Sequence, residues 1–202
     1  KKKISWTFST PAPTIVSAHP QGGPKRIDPV MVLVFDQKIN PEAVLEYITV
    51  RTAAKEYALR RATEADLAAD TRAKKVFSAA AEDRRVAFLA TEHFPTSASV
   101  QIQADKGLPS LEGPLKTTKE QAFSFRTFAP LKVTQHQCYW NNYQKKECPP
   151  GQPMFVYFNN QIDAKVFDPS QVKIEPALDG KQVNFRKETA GKVTLLSFWG
   201  VG

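Results

Sequence analysis

Chemistry in a polypeptide falls to a few residue types. Here the candidates are three histidines, two cysteines and a recurring set of Asp, Asn and Glu side chains. His19, His93 and His136 are the imidazoles available to a nucleophilic triad, which needs Ser, Thr or Cys held beside a His and an acid. His19 and His136 each close an apolar, β-like run, residues 14–19 and 131–136, and that shared place reads as structural, such as hydrogen-bonding a turn. Neither a Gly-x-Ser-x-Gly elbow nor a Gly-rich phosphate loop occurs. The reading is no catalytic residue and no enzyme.

Cys138 and Cys148 lie close together in a segment rich in Asn, Lys, Pro and Gly. Tetrahedral zinc needs four ligands, and no His stands at ligand spacing. Thiol redox work favours the shorter Cys-x-x-Cys. A disulfide closing a short loop is the favoured reading, worth about 2–3 kcal/mol and implying an oxidising compartment; two free thiols are the alternative. Between them, Trp140 either stacks on a sugar or packs over the disulfide, with packing favoured. Asp36, Asn40 and Glu42, with Asn159 and Asp163 further on, offer oxygens of the kind calcium takes. Calcium needs six to eight oxygens, several of them carboxylates, and the second set replaces Asp36 by Asn159. Turn stabilisation is the better reading. No metal or cofactor is expected.

The net charge of +8 raises the question of nucleic acid, but the basic pairs Lys25-Arg26, Arg60-Arg61, Lys74-Lys75, Arg84-Arg85 and Lys145-Lys146 are dispersed among acids and apolar residues. That pattern reads as a solvated surface without a nucleic-acid partner. No run approaches the roughly 20 apolar residues that span a bilayer. Residues 1–8 are too short and polar for a signal-peptide core, so Lys1 reads either as an artificial start or as an internal position of a longer chain.

The elements that must position these side chains come in two copies. Phe8-Ser9-Thr10-Pro11-Ala12-Pro13 recurs as Phe125-Arg126-Thr127-Phe128-Ala129-Pro130. The run from Met31 to Asn40 recurs from Met154 to Asp163, and in each copy a Val-x-Ile or Ile-x-Val strand follows. The expected organisation is therefore a closing strand of a preceding module at 1–10, one module at 11–128, and a second, incomplete module at 129–202. Short β-branched and aromatic runs separated by Pro, Gly and Asn predict strands at 14–18, 30–36, 47–51, 55–61, 84–90, 98–104 and 120–127. Residues 97–104 alternate polar and apolar, as a strand does with one wet face. The fold class expected is all-β: tandem immunoglobulin-like antiparallel sandwiches. Residues 64–80 break the pattern. Leu67, Ala73, Val76, Phe77 and Ala80 fall at near-helical steps after Thr63-x-x-Asp66, which predicts a helical insertion; covering a sheet edge is the favoured role and docking a partner the alternative.

Taken together, Phe-x-Thr-x-x-Pro-Leu-x-Val-Thr, His136-x-Cys138-x-Trp140-Asn141-Asn142 and Cys148-Pro149-Pro150 resemble the N-terminal region of bacterial α2-macroglobulin-like proteins. The resemblance runs from about Phe8 to Gly202. It implies a scaffold region of a protease-trapping inhibitor of the cell envelope, exported, periplasmic and membrane-anchored through a segment outside this chain. The partners implied are other domains of the same polypeptide, and proteases through the full-length protein. The family's thioester motif does not occur here, because Cys148 is followed by Pro149-Pro150-Gly151-Gln152. The alternative is a pair of modules from a surface adhesin or glycan-binding protein.

Overall fold

Alternation of apolar and polar side chains, interrupted by turn residues, leaves this sequence little choice but strands that bury one face. The computed structural model describes residues 4–6, 11–138, 154–163, 168–173, 182–188 and 192–199; at 137, 138, 154, 163, 169, 182–188 and 192–199 it describes the backbone alone. The chain divides into two compact units, Lys1–Phe128 and Ala129–Gly202. Helices are few, and the strands lie mostly in antiparallel sheets.

Unit 1 runs β1 (Ile15–His19), β2 (Gly22–Lys25), β3 (Met31–Phe35), α1 (Pro41–Leu45), β4 (Ile48–Arg51), β5 (Glu56–Tyr57), β6 (Leu59–Arg61), α2 (Glu64–Ala69), α3 (Thr71–Ala79), β7 (Arg85–Ala90), β8 (Ser99–Ala104) and β9 (Gln121–Thr127). Two sheets result, in the orders β1-β3-β7-β6 and β2-β9-β8-β4-β5. Three details differ from the sequence reading. The stretch between the predicted strands 14–18 and 30–36 contains β2, which opens at Gly22 with φ +70 and pairs in parallel with β9. The predicted strand 55–61 is two strands, with β5 in the second sheet and β6 in the first, so the chain changes sheets at Ala58. The segment after Asn40 is a short helix capped by the Asn40 side chain.

The core lies between the sheets. Met31, Leu33 and Phe35 of β3 and Val86 and Phe88 of β7 meet Val50 of β4, Val100 and Ile102 of β8 and Phe125 of β9, all at 2% exposure or less. In β8 the alternate residues Ser99, Gln101 and Gln103 face away from that core, as the polar alternation requires. Phe125 meets Phe94 edge-on at 5.7 Å between ring centroids, and Phe94 meets Tyr57 at 4.8 Å. Such aromatic contacts add to area burial.

β3 is apolar at every position because both of its faces are covered. Val30, Val32 and Ala87 form a second cluster with Leu67 of α2 and Ala73 of α3. The helical insertion therefore covers the outer face of the first sheet, not its edge. It is also two helices, because Asp70 stops α2 and its carboxylate accepts the Ala73 N–H to cap α3. Thr63 and Asp66 form the reciprocal capping box expected from the sequence. Arg60 donates to both Asp66 oxygens, at 2.7 and 2.9 Å, and this, with the Thr63 N–H, holds the Asp66 carboxyl well below the usual range. At the far end Arg85 donates to Phe77 O at 2.6 Å and Ala80 O at 3.0 Å while its guanidinium lies 4.0 Å over the Phe77 ring. These bonds add charge-assisted partners at the helix C-terminus, where Phe77 O also accepts the Ala80 N–H at 3.3 Å.

In unit 2 the described strands are β10 (Val133–Cys138), β11 (Met154–Asp163), β12 (Gln182–Glu188) and β13 (Lys192–Trp199), in the order β10-β11-β13-β12 and antiparallel throughout. A chain-order comparison gives the same arrangement as β1-β3-β7-β6. The bulge matches as well: β1 shifts register between Ile15 and Ser17 against Phe35 and Val34, and β10 between Val133 and Gln135 against Phe158 and Tyr157.

Candidate functional site

The polar side chains singled out by the repeat lie just after β3 and within β11, and their geometry is the same in both units. Asp36 accepts the Thr14 N–H on Oδ1 at 2.7 Å, and its own N–H donates to Thr14 O at 3.0 Å. Asn159 accepts the Lys132 N–H on Oδ1 at 2.8 Å, and its N–H donates to Lys132 O at 3.1 Å. One residue further on, Gln37 Nε2 donates to Pro11 O and Asn160 Nδ2 donates to Ala129 O, each at 2.6 Å. An Asp and an Asn serve equally because the task needs one acceptor oxygen. Asn159 adds a bond the carboxylate cannot make, from Nδ2 to Pro130 O at 2.9 Å. In each unit, then, two consecutive side chains grip the backbone that leads into the first strand.

Two of the side chains weighed for calcium, Asp36 and Asn159, are engaged in this clasp. Asn40 Oδ1 accepts the Glu42 and Ala43 N–H groups and caps α1, while Glu42 reaches Arg61 at 3.4 Å. Among the described residues no group of three His, Cys, Asp or Glu side chains is placed to hold a metal. Of Asp163 only the backbone is described. Gln37 and Asn160, the second half of the clasp, were missed by sequence reasoning. The signal was present in the paired dipeptides Asp36-Gln37 and Asn159-Asn160, both acceptor then amide.

The histidines do not converge on one chemistry. His19 ends β1 half-buried, and burial pushes its pKa below the ordinary value against the opposing pull of Asp70. His136 is exposed on β10. Register also corrects the match between them. His19 lies opposite Val32, and its counterpart opposite Phe155 is Gln137, so His136 takes the place of Ala18. One extra residue, Leu131, separates the Ala-Pro step from the strand in unit 2. Cys148 and Trp140 lie outside the described residues, and Cys138 is described by its backbone alone, opposite Met154.

Neither any known family nor any curated protein matches this chain in sequence.

Unit 1 also carries an open hollow of about 600 Å³ lined by Arg51, Thr52, Pro95, Ser97, Ser99 and Gln101, among others. Arg51 is held there by Gln101 Oε1 at 3.1 Å and Gln103 Oε1 at 3.2 Å, and Ser97 adopts a left-handed φ of 60°. No carboxylate, imidazole or thiol lines it. A hollow of this composition can accept hydrogen bonds from a ligand and donate to one, but it has no general acid or base for chemistry at neutral pH.

Among the described residues no helix is long and apolar enough to cross a membrane.

Proposed function

We propose that the chain is a non-catalytic scaffold: two immunoglobulin-like sandwich modules in tandem, belonging to a bacterial α2-macroglobulin-like, protease-trapping inhibitor of the cell envelope. The observation that carries the tandem reading is the clasp made by Asp36 and Gln37 in one unit and by Asn159 and Asn160 in the other, on matching backbone groups. The common strand order and the common bulge support the same reading. The family assignment rests on the Cys138-x-Trp140-Asn141-Asn142 and Cys148-Pro149-Pro150 elements, and with it come export, an oxidising periplasm and a disulfide between Cys138 and Cys148.

A scaffold of this kind holds other domains of its polypeptide at fixed spacing and leaves protease capture to them. The test is to mix the 202-residue chain with serine, cysteine and metalloproteases at equal concentrations and follow small-substrate and protein-substrate cleavage. Unchanged rates are expected. Stoichiometric inhibition by this chain alone would overturn the scaffold role, and glycan binding lost on Trp140→Ala would turn the reading toward an adhesin.

A further inference from the structure

The second sheet of unit 1 has a gap in its ladder. Backbone groups of successive strand residues point to alternate neighbours. On the β9 side, the Ala98 carbonyl accepts the Thr127 N–H at 2.9 Å. On the β4 side, the Asp105 N–H, one residue past β8, donates to Tyr47 O at 2.9 Å. Even-numbered positions of β8 therefore bond to β9 and odd-numbered ones to β4, where Gln103 faces Thr49 and Gln101 faces Arg51. The next odd residue is Ser99, and the same register would give it position 53. β4 does not reach that far. The chain leaves β8 at Thr52, whose N–H donates to Lys55 O at 2.9 Å and closes the hairpin to β5. The Ser99 N–H and C=O thus face the line that β4 has left, with no backbone partner there among the described residues.

The hollow of about 600 Å³ opens at this place, between residues 52–54 on one side and 95–98 on the other. Its volume falls within the roughly 300–1,000 Å³ of sites that take small ligands. Lys55, beside the first wall, pairs with Glu92, which leads into the second, and so ties the two together. Ala53, Ala54 and Ala98 keep the hollow wide, because none carries more than a methyl group. The charge beside it has one sign. Arg126 stands directly opposite Ser99 on β9, and Arg51 shares the outer face with both. Gln101 and Gln103 hold Arg51 through neutral amide oxygens, which orient the guanidinium without compensating its charge. Among the described residues neither arginine forms an ion pair, although Glu56 stands opposite Arg51 on β5.

We propose that this hollow binds an extended acidic peptide, which adds one antiparallel rung to β8 at Ser99 and sets an Asp or Glu side chain beside Arg51 and Arg126. A peptide unit supplies both the acceptor and the donor that Ser99 calls for, whereas the phosphates of a nucleic acid only accept. Directly opposed residues of antiparallel strands share a face. The guest residue at Ser99 therefore points its side chain to the outer face, where the two guanidinium groups lie. The rung is single because Ser97, with a left-handed φ of 60°, takes the chain out of the extended conformation two residues earlier. One rung and two exposed ion pairs give an affinity of about millimolar.

The test titrates the isotope-labelled 202-residue chain with the blocked pentapeptide acetyl-TVEVT-amide and follows amide shifts and hydrogen exchange by NMR. The Ser99 amide is expected to move downfield and to exchange more slowly, with shifts at the Arg51 and Arg126 side chains. The peptide TVKVT is expected to bind about two- to fivefold more weakly for each ion pair lost. Methylating the backbone nitrogen of the central glutamate removes the donor of the rung and is expected to abolish protection of Ser99. Arg51→Glu with Arg126→Glu, both at exposed positions, is expected to reverse the order of the two peptides. Should that variant lose its fold, Arg51→Gln carries the charge test, and an unchanged preference for TVEVT overturns the acidic partner. Equal binding of both peptides by the parent chain does the same. Shifts elsewhere with Ser99 exchanging as before, or no shift at about 5 mM peptide, overturn the site. An oligothymidylate that moves both arginines without protecting Ser99 would replace the peptide with nucleic acid.

Discussion

Replacing Thr127 by Val isolates one hydroxyl at the end of the Phe-x-Phe-x-Thr strand. Thr127 is 2% exposed, and its Oγ1 accepts the Ala98 N–H at 2.8 Å and donates to Pro95 O at 2.6 Å. Val keeps the shape and removes both bonds, leaving two backbone groups to find other partners in a half-buried site. The cost of orphaning such groups is about 1–3 kcal/mol. Thr127→Ser is the counterpart: it keeps both bonds and loses one methyl, worth about 0.8 kcal/mol. Hydrogen exchange read at Val32 in β3 and Ile102 in β8 reports the result, since core amides exchange through the most global openings. Exchange in the Val variant is expected to rise about 5- to 150-fold, and in the Ser variant about fourfold, at 1.4 kcal/mol per tenfold. If the Ser variant is the weaker of the two, the Thr is there for its methyl, and the hydrogen-bond account of Thr127 is wrong.

Two further outcomes test the helical insertion. Arg85→Ala removes two charge-assisted bonds to the end of α3 and the contact with Phe77, so proteolysis within residues 64–80 is expected to accelerate about tenfold or more while exchange in β8 stays unchanged; a global loss of stability instead would show that the helices are not a separate layer. The lowered Asp66 pKa gives a direction in pH. Its contribution is complete above the ordinary Asp value of 3.8 and drains away as pH falls through the lower folded value, because the unfolded chain takes up the proton first. Arg60 is 46% exposed, so the effect is screened to about 1 kcal/mol or less. Helical signal measured between pH 7 and 2 is expected to fall less steeply in Asp66→Asn than in the parent, and identical acid limbs would refute the role of the ion pair.

Short-range order determines much of what the chain displays before it folds. The polar–apolar alternation of residues 97–104 is β8 and the Thr63-x-x-Asp66 spacing is a capping box, because each pattern depends on neighbours within a few residues. The clasp was harder to see, since Asp36 and Gln37 meet Thr14 and Pro11, and Asn159 and Asn160 meet Lys132 and Ala129, only after the strands pair. Tertiary structure alone decided the rest. Whether 55–61 is one strand or two depends on which sheet each end joins. Residues 64–80 cover a face because Leu67 and Ala73 find Val32 and Ala87, and nothing local distinguishes a face from an edge. A single extra residue at Leu131 moved His136 from the place of His19 to that of Ala18, since with a side-chain period of two each one-residue slip exchanges the faces of a strand.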